Sequence, residues 1–219
     1  MNTSENILTT KLNKSYIIKN ILKLFFASAF AFAMAASANV FIYTPISPVP
    51  ITLQTLTVLF SGIFLGSRFA FISQLEYLIL GIMGLPVFAG FRSGPATFLG
   101  VTGGYLIGFV FAAYITGYIF ENFGNKIKEK ICLTLAACLI GLAVIYLFGY
   151  IHLFGYLSTI YHGMEFKSLA IKTFDLAVKP FILVEFIKFF IVIDSAVIWK
   201  INILKKPAKE SLGDKRISE

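Results

Sequence analysis

The sequence predicts an all-α polytopic membrane protein with six transmembrane helices and both termini in the cytoplasm. Its 219 residues are 58% hydrophobic and only 14% charged, whereas about a quarter of an ordinary globular chain is charged. Six apolar segments, each near the length that crosses a bilayer, follow one another. Lysines and arginines gather at the two ends and in a central loop, as the positive-inside rule expects of cytoplasmic segments. This composition excludes a soluble enzyme, a disordered chain and a DNA-binding domain.

Each predicted helix ends where charge, glycine or proline interrupts the apolar pattern. The helices are predicted at residues 21–38, 51–65, 69–84, 102–120, 131–148 and 181–199. The chain thus divides into a cytoplasmic segment at 1–20, a transmembrane domain at 21–200 and a basic cytoplasmic tail at 201–219. The first helix ends in Ala-Ser-Ala, like a signal-peptide cleavage site. We expect it to be retained, because it carries a stripe of small residues that a cleaved peptide would not need.

The connections between helices predict an elaborate outer surface. Residues 39–50 contain three prolines, which favour an ordered extracellular loop over a helix. Residues 85–100 are too rich in glycine and proline to continue the third helix. Residues 149–179 have an amphipathic pattern, typical of a segment that lies along the membrane surface.

The net charge of +8 follows from this topology, so no nucleic-acid partner is expected. The sequence shows no metal-ligand cluster, no phosphate-binding glycine loop and no nucleophile motif. We therefore predict no cofactor and no enzymatic activity for this chain. Its function is expected to lie in the bilayer.

A stripe of alanines marks the first helix, because Ala27, Ala31 and Ala35 recur at every fourth residue. Small residues at this spacing let another helix approach closely in a membrane. One interpretation is packing against the protein's own helices. The other is a docking face for a separate membrane subunit.

Several polar side chains occur at membrane depth, where ionisable groups are costly and usually pair or serve a site. Glu185 and Lys188 are neighbours on one face of the last helix, and they are either an ion pair or the polar end of a ligand pocket. Arg92 is the only charge in the second outer loop, and it suits bidentate capture of a carboxylate. Gln54 is a further polar residue, in the second helix.

Three strings in order, PVPITLQTL (48–56), YLILGIMGLPVFAGFRSG (77–94) and TGGYLIGF (102–109), resemble the BioY family. That family comprises the biotin-specific S components of energy-coupling factor (ECF) transporters. The resemblance implies the six-helix S-component fold in a bacterial plasma membrane. It also implies partners: a transmembrane coupling subunit, which would meet Ala27, Ala31 and Ala35, and two ATP-binding cassette ATPases.

The resemblance implies a site as well. Arg92 would bind the valerate carboxylate of biotin, Glu185 would accept a ureido N–H, and Lys188 would donate to the ureido oxygen. The family generally has Asp at the position of Glu185. Further substrate-binding residues are expected at Tyr43, Gln54, Phe91 and Tyr105. Alternative functions are the same fold with another vitamin, a packing protein whose charges are structural, and a stand-alone proton-coupled carrier or facilitator using Glu76 and Glu185.

Overall fold

The computed structural model describes residues 3–122 and 127–205, which form seven α-helices and one β-hairpin. The elements are α1 (Thr3–Ala38), β1 (Phe41–Thr44), β2 (Ser47–Thr52), α2 (Gln54–Leu65), α3 (Ser67–Ile82), α4 (Gly103–Asn122), α5 (Ile127–Ser158), α6 (Phe166–Ala177) and α7 (Ile182–Lys205). A 3₁₀ turn, Pro95–Leu99, precedes α4. Six of the helices match the predicted apolar segments in order, so the predicted helical membrane fold is confirmed.

Some helix bounds differ from the prediction. α1 begins at Thr3, so most of the segment predicted to precede the first helix continues it. α5 extends to Ser158, ten residues beyond the predicted end. Within the described residues, three helices are long and apolar enough to cross a membrane on their own: the 17–38 part of α1, α4 and the 132–158 part of α5. The predicted basic tail lies outside the described residues from 206 onward.

The proline-containing loop after α1 is an antiparallel hairpin. Phe41 lies opposite Thr52, and Ile42 lies opposite Ile51. A two-stranded sheet consists of edge strands only, and edge strands tolerate proline, so Pro48 and Pro50 fit within β2. Because β2 extends to Thr52, α2 begins at Gln54 rather than at residue 51.

Glycines let the central helices approach each other closely. A side chain at Gly108 would press on the backbone of Ile145, so α4 and α5 meet with almost no intervening atoms. A side chain at Gly62 would likewise press on Ala113 of α4. The small residues of α2 and α4 therefore serve packing within this chain.

The alanine stripe of α1 faces inward. Ala27 is fully buried and Ala31 is 1% exposed, both in the core that α1 forms with α2 and α3. Ala35 is partly buried. The burial of Ala27 and Ala31 supports packing within this chain, and the docking face stays a prediction. The exposed alanines, Ala29 and Ala33, lie on the opposite side of the helix.

The amphipathic segment forms α6, which packs against α5 and the hairpin. Ser47 of β2 donates its hydroxyl hydrogen to the carbonyl of Leu176 at 2.7 Å. The hydroxyl of Tyr105 donates to the carbonyl of Ala177 at 2.8 Å. These bonds fix the end of α6 beside the hairpin and α4, and the chain then turns into α7.

Candidate functional site

A cavity that is open at one end lies among the hairpin, α2, the loop 83–102, α4, α5 and α7. The cavity lies between helices, which is a usual place for a small-ligand site. Three charged side chains line it, those of Arg92, Glu185 and Lys188. Their formal charges sum to +1, which favours a ligand with a single negative charge.

Glu185 and Lys188 form the charged part of the cavity floor, which we define as Thr52, Thr55, Glu185 and Lys188. The two side chains occupy successive turns of α7 and are 6% and 5% exposed. The Lys188 ammonium donates to Glu185 Oε1 at 2.7 Å, to Thr55 Oγ1 at 3.0 Å and to the carbonyl of Thr52 at 2.6 Å. An ammonium has three hydrogens to donate, so all the donors of Lys188 are engaged by protein.

One oxygen of the floor is left open. Thr55 donates its hydroxyl hydrogen to Glu185 Oε1 at 3.0 Å, so this oxygen accepts two hydrogen bonds. Glu185 Oε2 is buried and accepts no hydrogen bond of normal geometry among the described residues, although the Tyr146 hydroxyl lies close to this carboxylate. A buried carboxylate oxygen without a donor is costly. The floor therefore offers one strong acceptor to a ligand that carries an N–H or O–H group.

Gln54 lies in the cavity wall and is held from two sides. Its Nε2 donates to the hydroxyl of Tyr77 at 2.9 Å, and Tyr77 donates in turn to the carbonyl of Val87 at 3.3 Å. Its Oε1 accepts from Thr52 Oγ1 at 3.3 Å. This chain of bonds ties α2 to α3 and to the start of the loop that carries Arg92.

Aromatic rings form the middle of the cavity, between its floor and its mouth. Tyr105 is 6% exposed and packs edge-on against Tyr146, with ring centroids 6.0 Å apart. Phe181 contacts the Tyr146 ring at 5.8 Å. Because the hydroxyl of Tyr105 bonds the end of α6, this residue presents its ring to the cavity. The wall suits an apolar ring or chain.

Arg92 and Tyr43 line the mouth of the cavity and are both exposed. Among the described residues, no hydrogen bond or ion pair engages the Arg92 guanidinium, so its donors are open to a ligand. Phe91 does not line the cavity, and its side chain is 67% exposed. Phe91 thus lies outside the cavity lining in this structure, and its contact with the ligand stays a prediction.

The structure brings together six of the seven predicted site residues: Tyr43, Gln54, Arg92, Tyr105, Glu185 and Lys188. Three further lining residues were not predicted from the sequence: Thr52 and Thr55, which complete the floor, and Tyr146, which joins the aromatic wall. Threonine gives little signal in a membrane helix, because its hydroxyl is commonly satisfied by the helix's own carbonyls. Only its position directly after Gln54 and opposite an acid would have identified Thr55.

A family model matches most of the chain. The BioY family model aligns with residues 8–203. A probable biotin transporter BioY from Pyrococcus horikoshii is 38% identical over 157 residues, covering 72% of this chain and 84% of that protein. A biotin transporter BioY from Thermotoga maritima is 41% identical over 105 residues, covering 48% of this chain and 59% of that protein. The match with the Thermotoga protein thus spans little more than half of its length.

A solved structure shares the fold. The S-component for biotin from an ECF-type ABC transporter superposes with a TM-score of 0.67 at 22% identity, covering 83% of this chain and 92% of the other. This likeness establishes the S-component fold for this chain.

Substitution of Lys188 tests how the floor is held together. We expect Lys188→Met to lower the free energy of unfolding by about 3 kcal/mol, because it leaves the Glu185 carboxylate buried without its cation. The double variant Glu185→Leu with Lys188→Met should recover most of that loss, since an apolar pair needs no partner. Unfolding in mixed detergent, followed by circular dichroism, measures both. A double variant as unstable as Lys188→Met would contradict this assignment.

Proposed function

The chain belongs to the BioY family, and from this we propose that it captures biotin at the cavity and acts as the substrate-binding subunit of an ECF-type ABC transporter. The observation that carries the proposal is the arrangement of the three charged cavity residues. Arg92 is an open cation at the mouth, and Glu185 Oε2 is an open acceptor in the floor. Biotin has one carboxylate at the end of an apolar chain and two N–H groups on its ureido ring.

We assign the carboxylate of biotin to Arg92, because a guanidinium binds a carboxylate through two parallel hydrogen bonds. Glu185 Oε2 would accept a ureido N–H. The aromatic wall at Tyr105 and Tyr146 would contact the thiophane ring, and Tyr43 would cover the apolar chain near the mouth. This division gives polar recognition at both ends of the ligand and apolar contact between them.

Lys188 is less free to bind the ligand than an unpaired lysine would be. It can donate to the ureido oxygen only by releasing one of its three protein acceptors, Thr52, Thr55 or Glu185. Its first effect is to hold Glu185 Oε1, which leaves Oε2 toward the ligand. Gln54 stands in the wall beside the floor and can exchange one of its bonds for the ligand.

Binding of biotin to the detergent-purified protein tests the site. We expect saturable binding that riboflavin and thiamine do not displace. Arg92→Ala should raise the Kd by about tenfold to a hundredfold, the effect of losing a charge-assisted hydrogen bond worth about 1.5–3 kcal/mol. Arg68→Ala is the matched control, because Arg68 is an exposed arginine at the start of α3 that does not line the cavity. Folded protein that binds no biotin, or that binds another vitamin instead, would refute the proposal.

We further propose that both termini face the cytoplasm and that the cavity opens to the outside of the bacterial plasma membrane. The distribution of lysine and arginine supports this orientation, because the outer loop that carries Arg92 holds no other charge.

Cysteine labelling in intact cells tests the orientation. In a background with Cys132→Ala and Cys138→Ala, a membrane-impermeant maleimide should label Ser93→Cys, beside Arg92. It should label Asn122→Cys, at the end of α4, only after the membrane is opened. Both positions are exposed, so access to the reagent alone separates them. The reverse labelling pattern would show the opposite orientation.

We propose that transport needs a transmembrane coupling subunit and two ATP-binding cassette ATPases. The alternative of a stand-alone proton-coupled carrier is weaker, because Glu185 is committed to Lys188 and Thr55. Of the two acids that this alternative uses, only Glu76 would then remain to carry a proton.

Reconstitution into liposomes tests this dependence. Biotin should accumulate only when the chain is present with the coupling subunit, both ATPases and ATP. A matched preparation with ATPases inactivated in their nucleotide sites serves as the control. Accumulation by the chain alone under a proton gradient, abolished by Glu76→Gln, would instead support the carrier.

A further inference from the structure

We infer that Asn39 is a positioning residue that holds Arg92 in place for the ligand carboxylate, by clamping the tip of the loop that follows α3. The inference rests on the proposed function and adds to it a residue that does not touch the ligand. Asn39 does not line the cavity. It acts through the backbone of Phe91, the residue directly before Arg92.

The Asn39 side chain is fixed at both ends. Asn39 follows the last residue of α1, and its Nδ2 donates to the carbonyl of Ala35 at 2.9 Å. This bond satisfies one of the carbonyls that a helix leaves open at its C-terminus. Its Oδ1 accepts from the backbone N–H of Phe91 at 2.9 Å. Because Nδ2 is bonded to a rigid helix, Oδ1 is held in a fixed position as an acceptor.

The loop that receives this bond is a tight reversal. Phe88 and Arg92 exchange backbone hydrogen bonds at 3.0 and 3.2 Å, which closes a loop of three residues between them. Gly90 and Phe91 in that loop have φ angles of 73° and 57°. Phe91 is the only non-glycine residue with positive φ in the described part of the chain.

The left-handed backbone conformation of Phe91 must be stabilised by contacts with other residues. A left-handed backbone is unfavourable for an L-residue other than glycine, and such residues keep this conformation only where their surroundings enforce it. The Phe91 ring does not enforce it, because the side chain is 67% exposed. The hydrogen bond from its N–H to Asn39 is the contact that does.

The two legs of the loop are held differently. On one leg, the Phe88 ring is 1% exposed and packs edge-on against Tyr77 at 5.5 Å and Phe98 at 5.8 Å. The other leg carries Arg92, whose exposed side chain has no bond to protein among the described residues. Arg92 therefore depends on its backbone pairing with Phe88 and on the geometry of Phe91. Release of Phe91 would let the Arg92 backbone rotate away from the mouth.

Binding of two related ligands separates this role from a general structural one. Biotinol carries an alcohol where biotin carries the carboxylate, so it lacks the group assigned to Arg92. We expect Asn39→Ala to raise the Kd for biotin by about threefold to tenfold, the effect of one hydrogen bond. The Kd for biotinol should stay within about twofold of the wild-type value.

Two further variants sharpen the test. Phe91→Gly in the Asn39→Ala background should restore part of the affinity for biotin, because glycine adopts positive φ without strain. Asn122→Ala is the matched control: Asn122 ends α4, and its Nδ2 donates to the carbonyl four residues back, that of Tyr118, at 2.9 Å. It repeats the helix-end bond of Asn39 and contacts neither the loop nor the cavity, so both Kd values should stay unchanged.

Hydrogen–deuterium exchange of residues 84–94 gives a readout that needs no ligand, and Asn39→Ala should accelerate exchange at Phe91. If Asn39→Ala weakens both ligands equally, or changes neither binding nor exchange, the inference is overturned while biotin binding by the wild type stands. If the wild-type protein binds neither ligand, the proposed function and the binding role of Asn39 fail together.

Discussion

The buried ammonium of Lys188 is the constraint on which the site depends. A cation in the interior of a membrane protein is tolerated only when its hydrogens are all accepted. Here the acceptors come from three places: the end of β2, the first turn of α2 and the preceding turn of α7. The hairpin and α2 must therefore lie against α7. That requirement closes the cavity from below.

The rest of the site divides into a rigid floor and a mouth whose geometry is maintained by contacts on two sides. The floor is fixed before any ligand arrives, because Thr55 and Lys188 both bind Glu185 Oε1. The mouth is exposed, and its geometry comes from the buried Phe88 ring on one side and Asn39 on the other. Preorganisation of both ends reduces the conformational entropy that binding would otherwise cost.

The sequence predicted the helices well because length and polarity decide what crosses a bilayer. It also singled out Glu185 and Lys188, since charges at membrane depth are rare enough to stand out, and Arg92, as the only charge in its outer loop. It could not predict what Ala27 and Ala31 pack against. The spacing shows that they share one face of the helix, but not whether that face meets this chain or another subunit. Nor could it predict that the Phe91 ring is exposed outside the cavity lining, at a positive φ that only the folded loop imposes.

Stability alone does not explain the Glu185–Lys188 pair. A buried ion pair gains little over well-packed apolar side chains, and replacing one by such residues is often neutral or stabilising. A buried carboxylate oxygen without a donor is an added cost that packing alone does not offset. Glu185 Oε2 is such an oxygen, and it belongs to a residue that lines the cavity. An ion pair in which Lys188 binds one oxygen of Glu185 and leaves the other open is suited to recognition of an N–H donor. The net positive charge of the lining adds a preference for an anionic ligand.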